Sequence, residues 1–213
     1  PLLRLVAKKR KPVILSTGAS NKKEISNALE VLKKNGAIDI CLMHCILNYP
    51  TSELDANLNM ITDLKNTFTT VKIGYSDHTK PGSDMLMCIT AYLKGAIVIE
   101  KHFTNDKSLK GNDHFHAMDV KDLKQFCNSI SRIQIAEGKK FKTVLKSEQV
   151  SRKNARRSIV VDRDLEKGTM LNEANLTCKR PATGISPLFW DKVIGKKLKR
   201  SIKANQILKW SDI

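Results

Sequence analysis

Two apolar runs in this chain end on a histidine. Val71-Lys72-Ile73-Gly74-Tyr75-Ser76-Asp77-His78 is one, and Ala96-Ile97-Val98-Ile99-Glu100-Lys101-His102 is the other. Neutral imidazole is a ligand for Mn, Zn, Fe or Co. Two imidazoles at matching strand ends are therefore candidates to face one metal ion or one anionic substrate; singly, each would read as a histidine hydrogen-bonded in a loop. Ser16, Thr17, Ser76 and Thr79 offer hydroxyls at comparable positions, and with Lys101 they would make a phosphate or carboxylate cradle. Glu100 and Asp113 are candidate acid/base or hydroxyl-binding groups, and Glu100 is equally a candidate buried partner within the strand. His114 and His116 are a possible chelating pair of low specificity. Cys45 beside His44 is a weak nucleophile candidate, because neighbours on a strand point to opposite faces. Arg180 sits in a loop framed by Pro181, Gly184 and Pro187, as a group suited to planar anions or hydroxyl-rich ligands, or as a plain surface arginine.

The elements that would position these groups alternate. Residues 12–16, 38–44, 71–74 and 96–100 are short, apolar and rich in β-branched side chains, as buried parallel strands are. Helical periodicity lies between and after them, at 21–35, 54–68, 82–94 and 120–136. Asn21 with Glu24 forms a capping box for the first of these, and Gly36 is suited to stop it. Asp119 is the expected cap of the last. Strand starts recur roughly every 25 to 33 residues, the length of a βα unit. Chemistry in such folds sits at the C-terminal ends of the strands, where both histidine runs stop. Leu2, Leu3, Leu5 and Val6 read as part of a helix already under way at Pro1, so further residues are expected upstream.

Residues 158–213 change character. Short apolar runs alternate with turn signals, and a repeat appears at an offset of 37 positions, aligning Asp164–Leu171 with Ser201–Leu208. Gly168 falls on Asn205, and both tolerate a positive φ. Two similar β-turn-β units in a small β-rich module are expected. Residues 139–157 carry eight basic groups against one acidic and read as a basic linker. The predicted organisation is thus 1–138, a linker at 139–157, and 158–213.

Composition narrows the class. Hydrophobic residues make up 41% of 213, ample for a core, and no apolar run reaches membrane-spanning length. The net charge of +17 is concentrated around the linker. With Phe141 its one aromatic and no recognition motif there, nucleic-acid binding is not expected. Five cysteines without CxxC spacing suit reduced thiols and a cytoplasmic protein.

Several motifs in order resemble the N-acetylneuraminate (sialic acid) synthase family. They are Lys11-Pro12-Val13-Ile14-Leu15-Ser16-Thr17-Gly18, His44-Cys45 with Tyr49-Pro50-Thr51, Gly74-Tyr75-Ser76-Asp77-His78-Thr79, Glu100-Lys101-His102-Phe103 and Gly111 with Asp113-His114. Lys179-Arg180-Pro181, Thr183-Gly184-Ile185-Ser186 and Val193-Ile194-Gly195-Lys196-Lys197 resemble its C-terminal antifreeze-like (SAF) domain. The resemblance implies an α/β fold: the second half of a TIM-type (β/α)8 barrel followed by the SAF domain, with the N-terminal half of the barrel missing from this chain. It implies condensation of phosphoenolpyruvate with N-acetylmannosamine or a related sugar, with release of phosphate, by a homodimer whose SAF domains are swapped. By the same resemblance His78 and His102 would hold a divalent metal, Mn²⁺ or Mg²⁺. Lys11, Ser16 and Ser76 would contact phosphoenolpyruvate, and Tyr49 and Asp113 the sugar. Arg180 of the partner's SAF domain would reach the sugar's N-acetyl end. Asp113 and Glu100 are the catalytic candidates. The chain departs from the family at Leu47, Phe115, His116 and Ala117, which leaves the sugar open. A legionaminic- or pseudaminic-type synthase using a diamino-sugar is one alternative; a truncated, non-catalytic binding module is the other. As a half-barrel, the chain alone is expected to be inactive.

Overall fold

The computed structural model describes residues 1–111 and 113–213. They form two compact units, Pro1–Gly138 and Lys139–Ile213. Among the described residues no helix is long and apolar enough to cross a membrane.

The first unit alternates helix and strand: α1 (Leu2–Lys8), β1 (Val13–Ser16), α2 (Lys22–Lys34), β2 (Ile40–Cys45), α3 (Asn59–Thr67), β3 (Lys72–Asp77), α4 (Leu86–Leu93), β4 (Ile99–Lys101) and α5 (Val120–Glu137). The four strands form one parallel sheet in the order β1-β2-β3-β4. Four consecutive βα units in sequential order are the arrangement of a half-barrel. Asn21 accepts from the Glu24 amide while the Glu24 carboxylate accepts from the Asn21 amide, so the expected capping box is present. Gly36, at φ +102, ends that turn. Asp119 caps α5 by accepting from the amides of Lys121 and Asp122.

Two helices start later than their periodicity suggests. Residues 52–56 close turns through Ser52, whose hydroxyl bonds the Asp55 side chain, and α3 begins only at Asn59. Met85 adopts φ 55 just before α4, so the 82–85 stretch is a turn and not a helix. Polar side chains short enough to reach their own backbone favour such turns over helix.

Strand periodicity of two divides the sheet into two faces. Val13, Ile40, Leu42, Ile73 and Tyr75 pack against Ile25, Leu29, Leu32, Ile61, Leu64 and Ala91 of the helices and make the core of this unit. The opposite face carries Ile14 and Ser16, Met43 and Cys45, Gly74 and Ser76, and Glu100, placed side by side by the strand register. His78 and His102 continue the polar rows of β3 and β4 past their last paired residues.

The second unit contains α6 (Gln149–Ala155), β5 (Ser158–Val161), β6 (Leu176–Lys179) and α7 (Trp190–Val193), joined by single-residue bridges. The basic stretch 139–157 belongs to it and carries α6, tied back by the Ala182 amide donating to the Lys153 carbonyl at 2.8 Å. The 37-residue repeat is realised as a pseudo-two-fold. Leu165 and Ile202, equivalent by sequence, exchange both backbone hydrogen bonds, at 2.9 and 2.8 Å. The bridges Met170–Lys197 and Val160–Ile207 are equivalent under the same offset. So are the bonds Gly168 N to Leu198 O and Asn205 N to Val161 O, both 2.8 Å. Gly168 has φ 87 and Asn205 φ 65, as their alignment requires. The core between the halves holds Ile159, Val161, Leu171, Ile185, Val193, Leu198, Ile202 and Leu208.

Candidate functional site

His78 follows β3 directly and is buried, with its Nδ1 2.8 Å from the Ile46 carbonyl oxygen. A carbonyl can only accept, so in the neutral ring Nδ1 carries the proton and Nε2 keeps its lone pair. That is how a metal-binding histidine is oriented by an outer partner. His102 follows β4, its ring centroid 5.2 Å from that of His78 and nearly perpendicular to it. The two strand ends thus bring their imidazoles together. Cys45 Sγ lies 3.9 Å from His78 Nδ1, but burial pushes the thiol up, away from thiolate. His44 turns to the helix face, where Nε2 donates to the Ala56 carbonyl at 2.8 Å. No His44–Cys45 dyad forms.

Tyr49, in the loop after β2, covers the pair. Its ring lies 4.1 Å from His78 and 5.7 Å from His102. Burial pushes its phenol up, with Cys45 and the carboxylates of Asp113 and Glu100 adding to the effect, so the hydroxyl stays protonated. One level down, strand register places Ser76 opposite Glu100, and the Ser76 hydroxyl donates to Glu100 Oε1 at 2.6 Å.

A short 3-10 turn, His114–His116, closes the cluster from the loop after β4. With three residues per turn, side chains two apart diverge, so His114 and His116 do not chelate together. His114 Nδ1 lies 2.8 Å from Thr104 Oγ1. His116 turns inward and is fully buried, 5.1 Å from the His102 ring. Neither of its ring nitrogens has a hydrogen-bond partner among the described residues. An unpaired buried polar group costs about 1–3 kcal/mol, so the site has an unmet demand. Burial first, and then His102, push the His116 imidazole toward its neutral form. Asp113 Oδ1 lies 3.8 Å from His102 Nδ1. One ligand atom each from His102, Asp113 and His116 lies within 4.8 Å of the others. Imidazole nitrogens and a carboxylate in this arrangement fit a divalent cation.

The expected hydroxyl cradle is only partly assembled. Ser76 faces the cluster and Ser16 is exposed at the end of β1. Thr17 spends its hydroxyl on the Met43 carbonyl at 2.8 Å. Lys101 lies on the helix face, bonded to Asp77 Oδ2 at 2.7 Å and to the Thr79 carbonyl at 2.6 Å. Lys11 is exposed at the N-terminal end of β1, the opposite rim from the histidines and roughly 16 Å up the chain from Ser16 at extended spacing. Arg180 is exposed in the loop after β6 of the second unit.

His116 is the residue of this cluster that no strand end marks in the sequence. Its signal is a second histidine in a loop that also carries Asp113, at a position where the turn geometry decides which one points inward.

Comparison with known proteins agrees with this arrangement. Residues 1–142 match the model of the NeuB family and residues 156–213 that of the SAF domain. The chain is 41% identical to the N,N'-diacetyllegionaminic acid synthase of Campylobacter jejuni over 98% of its length and 62% of that protein's. It is 37% identical to the enzyme of the same name from Legionella pneumophila, covering all of this chain and 60% of the relative. A crystal structure of a putative spore coat polysaccharide biosynthesis protein E from Chromobacterium violaceum superposes with a TM-score of 0.78 at 26% identity, over the whole chain and 63% of the other. The chain therefore spans about three fifths of the length of the relatives it matches. With half-barrel, C-terminal module and motif order in agreement, this chain belongs to the NeuB family.

Proposed function

We propose that this chain forms the metal-bearing part of a nonulosonic-acid synthase. The reaction joins C3 of phosphoenolpyruvate to the aldehyde carbon of an open-chain N-acetylated amino-sugar. The aldehyde oxygen gains a proton, water adds at C2, and phosphate leaves. The observation that carries this reading is the approach of the His78 and His102 rings to 5.2 Å at the ends of adjacent parallel strands, with the Ser76–Glu100 pair beneath them.

In this reading His78 and His102 hold the divalent cation, Mn²⁺ or Mg²⁺. When bound, it supplies Lewis-acid polarisation of the sugar's aldehyde. The chain's own groups do the rest. The Ile46 carbonyl fixes the His78 tautomer. Ser76 and Ser16 donate to the anionic groups of phosphoenolpyruvate, and Glu100 exchanges a proton at the oxygen that now accepts from Ser76. Tyr49, packed on His78, positions the sugar and excludes water from one side. Asp113 accepts from a sugar hydroxyl. Arg180 acts in a swapped homodimer, reaching the N-acetyl end of the sugar bound by the partner subunit, in the cytoplasm where phosphoenolpyruvate is made.

A diacetamido sugar as substrate is favoured over N-acetylmannosamine by one observation, the two relatives at 41% and 37% identity that are named as N,N'-diacetyllegionaminic acid synthases. Phosphate release from phosphoenolpyruvate is the assay, run with Mn²⁺ and either sugar on the full-length protein that contains this chain. Faster release with the diacetamido sugar is expected, abolished in His78→Ala. No release with either sugar, or unchanged release in His78→Ala, would end the reading.

A further inference from the structure

We propose that His116 is a third imidazole ligand of the metal, so that this chain binds its cation through His78, His102 and His116 with Asp113 beside them. The inference rests on the cation-site reading above and deepens it.

Three observations converge on His116. Its two ring nitrogens are fully buried and have no hydrogen-bond partner among the described residues. It shares a cluster with His102 and Asp113 whose ligand atoms all fall within 4.8 Å. Its ring is as far from His102, at 5.1 Å, as His78 is, at 5.2 Å, so His102 neighbours both of the other imidazoles and links His78 to the cluster.

Size separates a metal role from a sugar-binding role. No water-sized sphere reaches the His116 nitrogens, and a sugar hydroxyl is no smaller than water. A bare cation held at roughly 2.1 Å from nitrogen needs far less room, and it would sit between the buried His116 and the exposed Asp113, leaving positions open on the solvent side.

The donor set also predicts which ions bind. Mg²⁺ prefers oxygen ligands and retained water. Three nitrogens favour Mn²⁺, and more strongly Co²⁺ and Zn²⁺. A site of two imidazoles filled out by water would discriminate far less against Mg²⁺.

The test is direct. Co²⁺ or Zn²⁺ is added to this chain and the coordinated imidazoles are counted by X-ray absorption, with affinities measured by titration calorimetry. Three imidazoles per ion are expected, with Mg²⁺ failing to displace Co²⁺ at a hundredfold excess. His116→Phe, which preserves ring volume, should weaken Co²⁺ binding at least tenfold and lower the count to two. Two imidazoles per ion in the unmodified chain would overturn the three-imidazole set, and two imidazoles with Co²⁺ affinity unchanged in His116→Phe would remove His116 while leaving the cation-site reading intact. No metal bound at all would overturn both. The count on the unmodified chain decides whether three imidazoles bind the ion even if His116→Phe does not fold.

Discussion

Lys101 Nζ lies 2.7 Å from Asp77 Oδ2, with the two side chains only 1% and 2% exposed. The residues are register partners on β3 and β4, and each immediately precedes one of the paired histidines. The ion pair on the helix face therefore pins the strand ends from which His78 and His102 project on the other face. Asp77 is fully satisfied: it also accepts from the Tyr75 hydroxyl and the Thr79 amide, both at 2.9 Å, and from the Cys88 thiol. Removing one member of a buried pair strands the other charge, at a cost of about 3–5 kcal/mol. Lys101→Met and Asp77→Leu should each lose stability on that scale in urea denaturation. The double substitution should recover a large part of the loss, because no buried charge remains. Equal losses for the single and double variants would show that packing, and not charge, holds the strand ends together.

Acid should weaken this unit in two steps. Burial pushes His44 below its ordinary range, against the favourable carbonyl of Ala56. The unfolded chain therefore takes up a proton that the folded state resists. That stability is fully present above about pH 6.5 and is lost as pH falls through the folded value. Burial acts to raise Asp77, but the Lys101 charge and the hydrogen bonds from Lys101 and Thr79 outweigh it and hold the carboxyl below its ordinary value. Its contribution persists down to about pH 3.9 and fades below that. Denaturation midpoints from pH 8 to pH 3 should show both declines; His116, also pushed toward its neutral form by burial, shares the first, so His44→Gln should shrink that step while sparing the second. A midpoint that stays flat between pH 7 and pH 5 would contradict the role given to His44.

The elements were legible in the sequence because strands such as β2 and β3, buried on both faces, leave near-continuous apolar runs, and because capping residues such as Asn21 and Asp119 act locally. The repeat in the second unit was legible for the same reason: pseudo-symmetry leaves matched spacing. What was not legible depended on facing. Lys101 reads as a rim cation by position, yet strand alternation turns it to the helix side, where Asp77 waits. His114 and His116 look equivalent in the chain, and only the tight turn sends one to Thr104 and the other into the cluster. Lys11 and Ser16 bracket one strand and so lie at opposite ends of it.

The pseudo-two-fold yields a pair of opposite predictions. Gly168, at φ 87, has no heavy atom within 4 Å of an added Cβ, so its constraint is backbone conformation alone. Its equivalent Asn205 holds φ 65 with a side chain already present. Gly168→Ala should cost about 1 kcal/mol or more, since alanine resists a positive φ. Gly168→Asn should be tolerated better, because asparagine already occupies the symmetric position. Thermal melts of the two variants give the comparison, and an alanine variant as stable as the asparagine one would contradict the symmetry argument.

Gly74 tests how tightly the site depends on strand spacing. A Cβ there would lie 2.4 Å from Met43 Sδ and 2.7 Å from the Val98 carbonyl oxygen. The methionine is a flexible side chain that can move. The carbonyl cannot, because it accepts from the Tyr75 amide at 2.9 Å and so belongs to the ladder joining β3 to the chain entering β4. Gly74→Ala must therefore push these two segments apart, two residues before Ser76 and four before His78. Overpacking of this kind costs about 1–3 kcal/mol. It should also weaken Co²⁺ binding, since the His78–His102 separation is set by the same ladder. Adding Met43→Ala relieves only the sulfur contact, so it should restore part of the stability without restoring the metal affinity. Full recovery of both in the double variant would place the strain on Met43 alone and detach the metal site from the β3–β4 spacing.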